Sequence, residues 1–340
     1  MKIKSKDIAE ALGISAATVS LAINDRPGVN KRTQKDILDY IERVKSGEIR
    51  LSDEAVSKSI ALVLVMEDAY SDEGNPFFQT FYNEIFKVFS EAGYSLEVIY
   101  FERTSGSFAE LVKRLQKKNL DGVYLWAYRM KDEDFAAFEN CGIPMVIDDH
   151  LHPCKNADNV LYNNRAGVDE IMSYLVERGH RHIVYISSDE ITFNFEKRRE
   201  AFQKCCEHMG LSDVDIINFG MTVGEISRNA KAFFQRGREI PSVVLAENYR
   251  VTLGCILAFR ELNLRVPEDI SIVAFDELPD PSYCDFDLAT IKILHRAKAE
   301  LSAKRLIERM ENKPKFNLEI YVRTELHKGN SVKKISGGES

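Results

Sequence analysis

At 340 residues the chain is too long for one ordinary core, so we expect a small N-terminal domain followed by a larger body. Hydrophobic residues make up 44% and charged residues 29%, with no long uncharged apolar run and no signal-peptide pattern. We therefore exclude a membrane protein and expect a cytoplasmic one. The formal charge of −7 is uneven, because residues 1–50 hold ten Lys or Arg against seven Asp or Glu. Only this segment suits a phosphate backbone.

The first segment predicts three short helices, and residues 5–24 have the spacing of a helix-turn-helix. Ile8 and Leu12 face inward, Gly13 permits the turn, and Ser15 caps the second helix. The apolar positions that support this pattern are Ile8, Leu12, Val19, Ile23, Ile37 and Ile41.

The second helix is expected to pack through Val19 and Ile23 and to leave Ala16, Ala17, Ser20 and Leu21 outward. A recognition helix reads bases near its N-terminal end, which makes Ala16 and Ala17 the leading candidates. The alternative is an ordinary three-helix bundle.

The body begins after a linker at residues 46–59, which is rich in Ser and charge, and its pattern is α/β. Strands are predicted at 60–65, 96–101, 122–126, 144–148, 183–187, 214–217, 242–246 and 271–275. Helices are predicted at 78–92, 107–118, 165–178, 196–209, 224–236 and 249–262. This alternation indicates parallel sheets with helices on both faces. Two series of four strands fit either a barrel or two doubly wound lobes, and periodicity does not choose between them.

The N-terminal run contains the groups Asp7-Ile8-Ala9, Gly13-Ile14-Ser15, Thr18-Val19-Ser20, Asn24 and Pro27-Gly28-Val29. In these groups it resembles the headpiece of LacI/GalR-family repressors, while Leu12 stands where the family commonly has Ala. The resemblance implies that Ala16, Ala17 and Leu21 face base edges. It implies phosphate contacts for Ser15, Thr18, Ser20, Asn24 and Asn30. Position 21 is often Arg in the family, and neither Ala nor Leu donates a hydrogen bond, so we expect A·T-rich half-sites or shape readout.

The linker departs from the family pattern. Members usually carry a Y-x-P-N-x-x-A-[RS]-x-L segment that folds on operator DNA and wedges a leucine into the minor groove. Residues 41–60 contain neither Pro nor Asn. Leu51 and Val56 are the candidates for the wedge, with an ordinary linker role as the alternative for each.

The body continues the resemblance in Arg178-Gly179-His180-Arg181-His182-Ile183 and, most specifically, in Val266-Pro267-Glu268-Asp269-Ile270-Ser271. It implies two doubly wound parallel-sheet lobes of periplasmic-binding-protein-like type I. We place them at about 60–160 plus 290–318 and at 161–289 plus 319–330, before a tail at 331–340. A small ligand is expected between the lobes at the carboxyl ends of the strands.

The resemblance assigns eight residues to the ligand pocket: Phe77, Phe78, Tyr128, Asp149, Arg198, Met221, Asn248 and Asp276. Charged groups would bind sugar hydroxyls while aromatic faces cover the ring. The alternatives are core positions for the phenylalanines, helix caps for the aspartates and a solvated face for Arg198, and Trp126 is expected in the core. Departures at Ala201, Tyr249 and Ile293 indicate a ligand other than common galactosides or purines.

The implied function is a repressor whose affinity for operator DNA is controlled by a small ligand, most simply a carbohydrate, through two-state closure of the lobes. We expect a homodimer on double-stranded operator DNA, because paired half-sites need two-fold symmetry, and no membrane partner. The sequence has no P-loop, GxSxG, HExxH or Gly-rich dinucleotide motif, so we expect no catalytic residue, cofactor or metal. The alternatives are a sugar-binding protein without a transcriptional role and an enzyme.

Overall fold

The computed structural model describes residues 5–45, 58–66, 77–235 and 240–335. The chain forms two compact units, Met1–Lys58 and Ser59–Ser340. Most of the expected linker, including Leu51 and Val56, lies outside the described residues, as do residues 336–340 of the expected tail. Among the helices that the structure describes, none is long and apolar enough to cross a membrane.

The N-terminal unit contains the three expected helices, α1 (Ser5–Leu12), α2 (Ala16–Ile23) and α3 (Lys31–Lys45). Ser15 caps α2 as expected, because its side chain accepts a hydrogen bond of 3.1 Å from the backbone N–H of Thr18. Val19 is fully buried, but Ile23 is 45% exposed, so its expected inward position is wrong. Ala22 is buried instead. The face of α2 that packs on the other helices therefore contains Val19 and the residue three positions after it, and not the residue four positions after it. The unit's core consists of Ile8, Ala9, Val19, Ala22, Ile37 and Ile41.

The larger unit contains two sheets. Each sheet, together with its flanking helices, forms a lobe, and we call the two the first and the second lobe. The described strands of the first are β1 (Ser59–Met66), β2 (Ser95–Glu102), β3 (Gly122–Trp126), β4 (Met145–Asp148), β5 (Ala157–Tyr162) and β11 (Glu319–Val322). Those of the second are β6 (Ile183–Ser187), β7 (Val214–Asn218), β8 (Val243–Ala246), β9 (Ser271–Phe275), β10 (Ala289–Lys292) and β12 (Glu325–His327). The spatial orders are β11-β5-β4-β3-β1-β2 and β12-β10-β9-β8-β6-β7. Strand pairs are parallel except for β10 with β12.

Helices cover both faces of each sheet, which is why strands such as β6 and β9 are apolar and buried along their whole length. In the first lobe, α5 (Phe108–Lys117) packs on one face, and α4 (Phe78–Glu91) packs on the other with α10 (His295–Asn312). The second lobe's helices are α6 (Asn164–Glu177), α7 (Phe193–Met209), α8 (Val223–Gln235) and α9 (Tyr249–Glu261). The structure therefore has two doubly wound lobes and not a closed barrel.

The chain passes between the lobes after β5, after β10 and after β11. Residues 319–322 were expected in the second lobe, but as β11 they pair with β5 in the first. Residues 290–292, expected in the first lobe, belong to β10 in the second. Both errors arise because β5, β10 and β11 are not among the predicted strands. The tail also begins later than residue 331, since Ser331 and Val332 are buried against the second lobe.

Candidate functional site

A cavity of about 80 Å³ lies between the two lobes, lined by residues that follow the carboxyl ends of β3, β4, β6, β8, β9 and β10. Parallel sheets generally bind ligands at this edge. Seven of the eight residues predicted for the pocket line it: Phe77, Phe78, Tyr128, Asp149, Arg198, Asn248 and Asp276.

Met221 lies outside the cavity lining, and 42% of its surface is exposed. Its backbone N–H donates a hydrogen bond of 3.2 Å to Glu225 Oε2 ahead of α8. The physical reason is its position, because Met221 follows β7, the edge strand of the second sheet, whereas the cavity lies opposite the central strands.

Aromatic rings form much of the cavity wall. Phe78, at the start of α4, stacks on Trp126 with ring centres 5.5 Å apart, so Trp126 lines the cavity and is not simply a core residue. Phe77 stacks on His295 at 4.5 Å and meets the edge of Tyr249 at 5.8 Å. Burial lowers the pKa of His295 to about 4, so its ring is neutral at physiological pH. The wall offers flat, uncharged surfaces to a ligand.

Asp148 and Asp149 share one buried lysine. Lys298 Nζ in α10 lies 2.6 Å from a carboxylate oxygen of each aspartate. Burial raises the pKa of Asp148 to about 7 against the opposing charge of Lys298. Burial also acts to raise the pKa of Asp149, but Lys298 and hydrogen bonds from Asn194 and Trp126 outweigh it and lower this pKa. Asp149 therefore faces the cavity as a carboxylate, and Asp148 titrates near neutral pH.

Arg198 in α7 is the main cation on the opposite wall, and only 3% of its surface is exposed. Its Nη2 lies 3.2 Å from Asp276 Oδ1, and its Nη1 donates to the backbone oxygen of Glu247 at 2.8 Å. The guanidinium stacks on the Phe275 ring at 3.8 Å. These contacts hold the Arg198 and Asp276 pair in one geometry towards the cavity.

Two asparagine amides connect Arg198 in the second lobe to Asp149 in the first. Asn164 Oδ1 accepts a hydrogen bond from Arg198 Nε at 3.0 Å, and Asn164 Nδ2 donates to Asn194 Oδ1 at 2.7 Å. Asn194 Nδ2 then donates to Asp149 Oδ1 at 3.1 Å. Because a guanidinium only donates and a carboxylate only accepts, the direction of both amides is determined by the ends of this chain.

Several cavity residues were not predicted from sequence, and Glu190 is the most notable of them. This acid follows β6 and is buried between Arg129, which follows β3, and Arg250 in the first turn of α9. Its carboxylate oxygens lie 2.8 Å from Arg129 and 3.1 Å from Arg250. The sequence contained a signal for Glu190 as a cavity residue, because Glu190 comes just after a predicted strand. Lys298 and His295 had no such signal, since α10 was not predicted.

On the N-terminal unit, Ala16, Ala17 and Ser20 are exposed on α2, while Leu21 is half-buried. The polar candidates take part in local hydrogen bonds. The hydroxyls of Ser15 and Thr18 lie 2.8 Å apart, Asn24 Nδ2 donates to the Ser20 backbone oxygen at 2.8 Å, and Asn30 Oδ1 accepts from the Thr33 N–H at 2.7 Å. Arg26, Lys31 and Arg32, which follow α2 in the chain, are exposed.

Known proteins resemble this chain in two ways, by a match to a protein family and by similarity to individual relatives. The family described as a periplasmic binding protein-like domain matches residues 172–332. The HTH-type transcriptional repressor PurR of Histophilus somni is 26% identical over 340 residues, which cover 97% of this chain and 99% of the relative. PurR of Pasteurella multocida is 26% identical and covers 96% and 98% of the two chains. The similarity thus includes both the helix-turn-helix and the two lobes. These matches support a regulator of the LacI/GalR family.

Solved structures agree with the LacI/GalR fold. The lac repressor dimer bound to operator and the anti-inducer ONPF matches with a TM-score of 0.72 at 19% identity, over 98% of this chain and 100% of that one. A LacI family regulator from Enterococcus faecium with bound ribose matches with a TM-score of 0.68 at 18% identity, over 82% of this chain and 100% of that one. At these identities the LacI-family neighbours establish the fold.

Proposed function

We propose that this chain represses transcription by binding operator DNA through α2, and that a small ligand in the cavity between the lobes controls its affinity for that DNA. The observation that carries the proposal is the presence on one chain of a basic helix-turn-helix unit and of a polar and aromatic cavity at the strand ends. A transport receptor does not need a helix-turn-helix unit. The presence of this unit therefore argues against a binding protein without a transcriptional role.

The reading face of α2 supports recognition of A·T-rich half-sites. Ala16 and Ala17 are exposed, and the half-buried Leu21 completes an apolar face. Methyl groups contact the C5-methyl of thymine but cannot pair with guanine. Arg26, Lys31 and Arg32 are suited to phosphate contacts, which position the protein without specifying sequence.

Selection of bound sequences from a random DNA pool tests this reading. The wild-type chain should select thymine or adenine opposite residues 16 and 17, and Leu21→Arg should add a preference for guanine at one position. Leu38→Arg, which adds the same charge at an exposed position on α3, should leave the preferences unchanged. An invariant guanine requirement in the wild-type sites would refute the proposed reading.

The cavity supports a small polar ligand with a flat apolar face, and we propose a sugar or sugar derivative. Carboxylates and a guanidinium hold sugar hydroxyls by charge-assisted hydrogen bonds, while aromatic faces cover the ring. LacI-family neighbours carry ribose or glucose in their solved structures. Binding of such a ligand shifts operator affinity only as far as its affinities for the two lobe arrangements differ.

A thermal-shift screen with sugars, sugar phosphates and nucleobases tests the ligand site. A ligand that raises the melting temperature of the wild type should fail with Arg198→Ala, because this variant loses the guanidinium that faces the cavity. Arg265→Ala is the matched control, since Arg265 pairs with Asp269 on the surface. Stabilisation that survives Arg198→Ala would reject the proposed site.

We further propose that the chain acts as a homodimer, as in the lac repressor structure bound to operator. Two headpieces on a pseudo-palindrome need two-fold symmetry. Sedimentation of the full chain with and without selected DNA should give two protomers per duplex, and a single protomer on an intact site would contradict the proposal.

A further inference from the structure

Glu190 is a buried acid held between two guanidiniums that come from opposite lobes. Arg129 Nη2 lies 2.8 Å from one carboxylate oxygen, and Arg250 Nη1 lies 3.1 Å from the other. The side chain of Glu190 is 3% exposed, that of Arg129 is 8% exposed and that of Arg250 is 25% exposed. Glu190 and Arg250 both line the cavity.

Two guanidiniums at this distance from one point form a receptor for an anion. Guanidinium donors match the geometry of carboxylate and phosphate oxygens, and Arg is favoured wherever such groups are bound. In this chain the protein's own carboxylate occupies the position between them. Glu190 therefore stands where the carboxylate or phosphate of a charged ligand would otherwise bind.

The other charges on the described cavity wall are also paired within the protein. Asp149 pairs with Lys298 at 2.6 Å, and Arg198 pairs with Asp276 at 3.2 Å. With Glu190 and Arg250, the lining carries three acids and three bases. An anionic ligand would bring an extra negative charge into a site where burial penalises an uncompensated charge heavily. A neutral ligand meets no such penalty.

We propose that Glu190 determines the specificity of the cavity by acting as a built-in anion, which restricts the site to uncharged ligands and rejects phosphorylated or carboxylated ones. This inference rests on the proposed role of the cavity as the ligand site. It predicts that the ligand is uncharged and that a phosphorylated form of the same ligand does not bind.

Chemical complementation with simple anions tests the proposal without knowledge of the natural ligand. The full-length Glu190→Ala chain is titrated with sodium acetate and with sodium phosphate, and its melting temperature is compared with that in sodium chloride of equal ionic strength. The variant should be stabilised by a few degrees, because an added anion replaces the missing carboxylate. The wild type should show only the smaller, general stabilisation that these salts give relative to chloride. A Glu190→Ala chain that is stabilised no more than the wild type overturns the proposal.

Two control variants locate the effect. Glu190→Ala combined with Arg250→Gln should lose most of the anion response, because one of the two guanidiniums is gone. Glu200→Ala removes an acid that pairs with Lys197 at 2.8 Å on the surface, and it should be stabilised no more than the wild type. If the Glu190→Ala chain unfolds in chloride, circular dichroism should detect its recovery in acetate or phosphate, and failure to recover counts against the proposal.

The outcome is separable from that of the proposed function. Binding of selected operator DNA by the wild type tests the repressor role and does not involve Glu190. Anion binding by Glu190→Ala tests the arginine receptor whether or not the chain binds DNA.

Discussion

Two aspartates of the cavity have a backbone conformation that few side chains adopt. Asp149 has a φ of 66° and Asp276 a φ of 76°, and each directly follows a strand that ends at the cavity. Asp enters this left-handed region more readily than most residues because its short polar side chain bonds locally. Ion pairs with Lys298 and Arg198 hold the two residues there, as expected of local strain kept at a functional site.

Asp148→Asn should change how stability depends on pH. The native pKa of Asp148 is about 7, above its ordinary value of 3.8, so the native state binds an extra proton between these limits. The contribution of Asp148 to stability therefore falls as the pH rises from about 4 to about 7. An asparagine at this position does not titrate, so the variant does not lose this stability. Between pH 5 and pH 8 the variant should gain about 1–3 kcal/mol in free energy of unfolding relative to wild type.

Urea denaturation of the two proteins at several pH values measures this difference. Asp285→Asn, at a side chain that is 91% exposed, should follow the wild-type profile. Parallel profiles for wild type and Asp148→Asn would show that Asp148 does not titrate near neutral pH.

Most of the predicted cavity residues could be identified from sequence because the family resemblance assigned them. Asp149, Asn248 and Asp276 also each come just after a predicted strand, and the structure brings them to one cavity. Their role in binding a ligand stays a prediction. Lys298 could not be identified in this way, because its contact with Asp149 joins residues 149 positions apart and its helix has no clear apolar period.

At the scale of elements, α10 and β5 escaped prediction for one shared reason. Their buried faces carry charged residues that pair with each other. Asp158 of β5 is fully buried and contacts Arg305 Nε at 2.6 Å and Arg309 Nη1 at 2.7 Å. A method that searches for apolar periodicity reads such positions as solvent-facing. The ion pairs are visible only once the elements have been brought together.

Asp158→Asn should strongly destabilise the larger unit. The substitution leaves two buried guanidiniums without their carboxylate, which typically costs about 3–5 kcal/mol. Glu308→Gln, which alters the exposed partner of Arg305, should cost no more than about 1 kcal/mol. Urea denaturation followed by fluorescence of Trp126 reports on the first lobe. Equal losses of stability for the two variants would mean that the buried ion pairs of Asp158 contribute no more than an exposed one.

At the scale of the whole molecule, the C-terminal segment joins the second lobe. Ser331 Oγ accepts a hydrogen bond of 2.8 Å from the Ala289 N–H and donates one of 2.6 Å to the Ile272 oxygen. Arg178 Nη1 donates to the Val332 oxygen at 3.0 Å. These contacts attach the segment to the first residues of β9 and β10 and to the end of α6.

A chain that ends after Asn330 should melt about 10 °C below the full chain. It loses several hydrogen bonds worth about 1 kcal/mol each and the burial of Val332, and each kcal/mol shifts the melting temperature by about 2–4 °C at this size. A chain that ends after Ile335 retains these contacts and serves as the control. Differential scanning calorimetry of the three chains measures the effect, and identical melting of both truncated chains would contradict it.

The three passages between the lobes also determine when each lobe can fold on the ribosome. The first sheet needs β11, and its α4 face needs α10, so this lobe remains incomplete until residue 322 has emerged. The second sheet waits for β12, which ends five residues later in the chain. Because domains generally fold as units during synthesis, almost the entire body must emerge before either lobe closes. Meanwhile apolar strands stay uncovered in the nascent chain, and the newly made protein should depend on chaperones more than its N-terminal unit does.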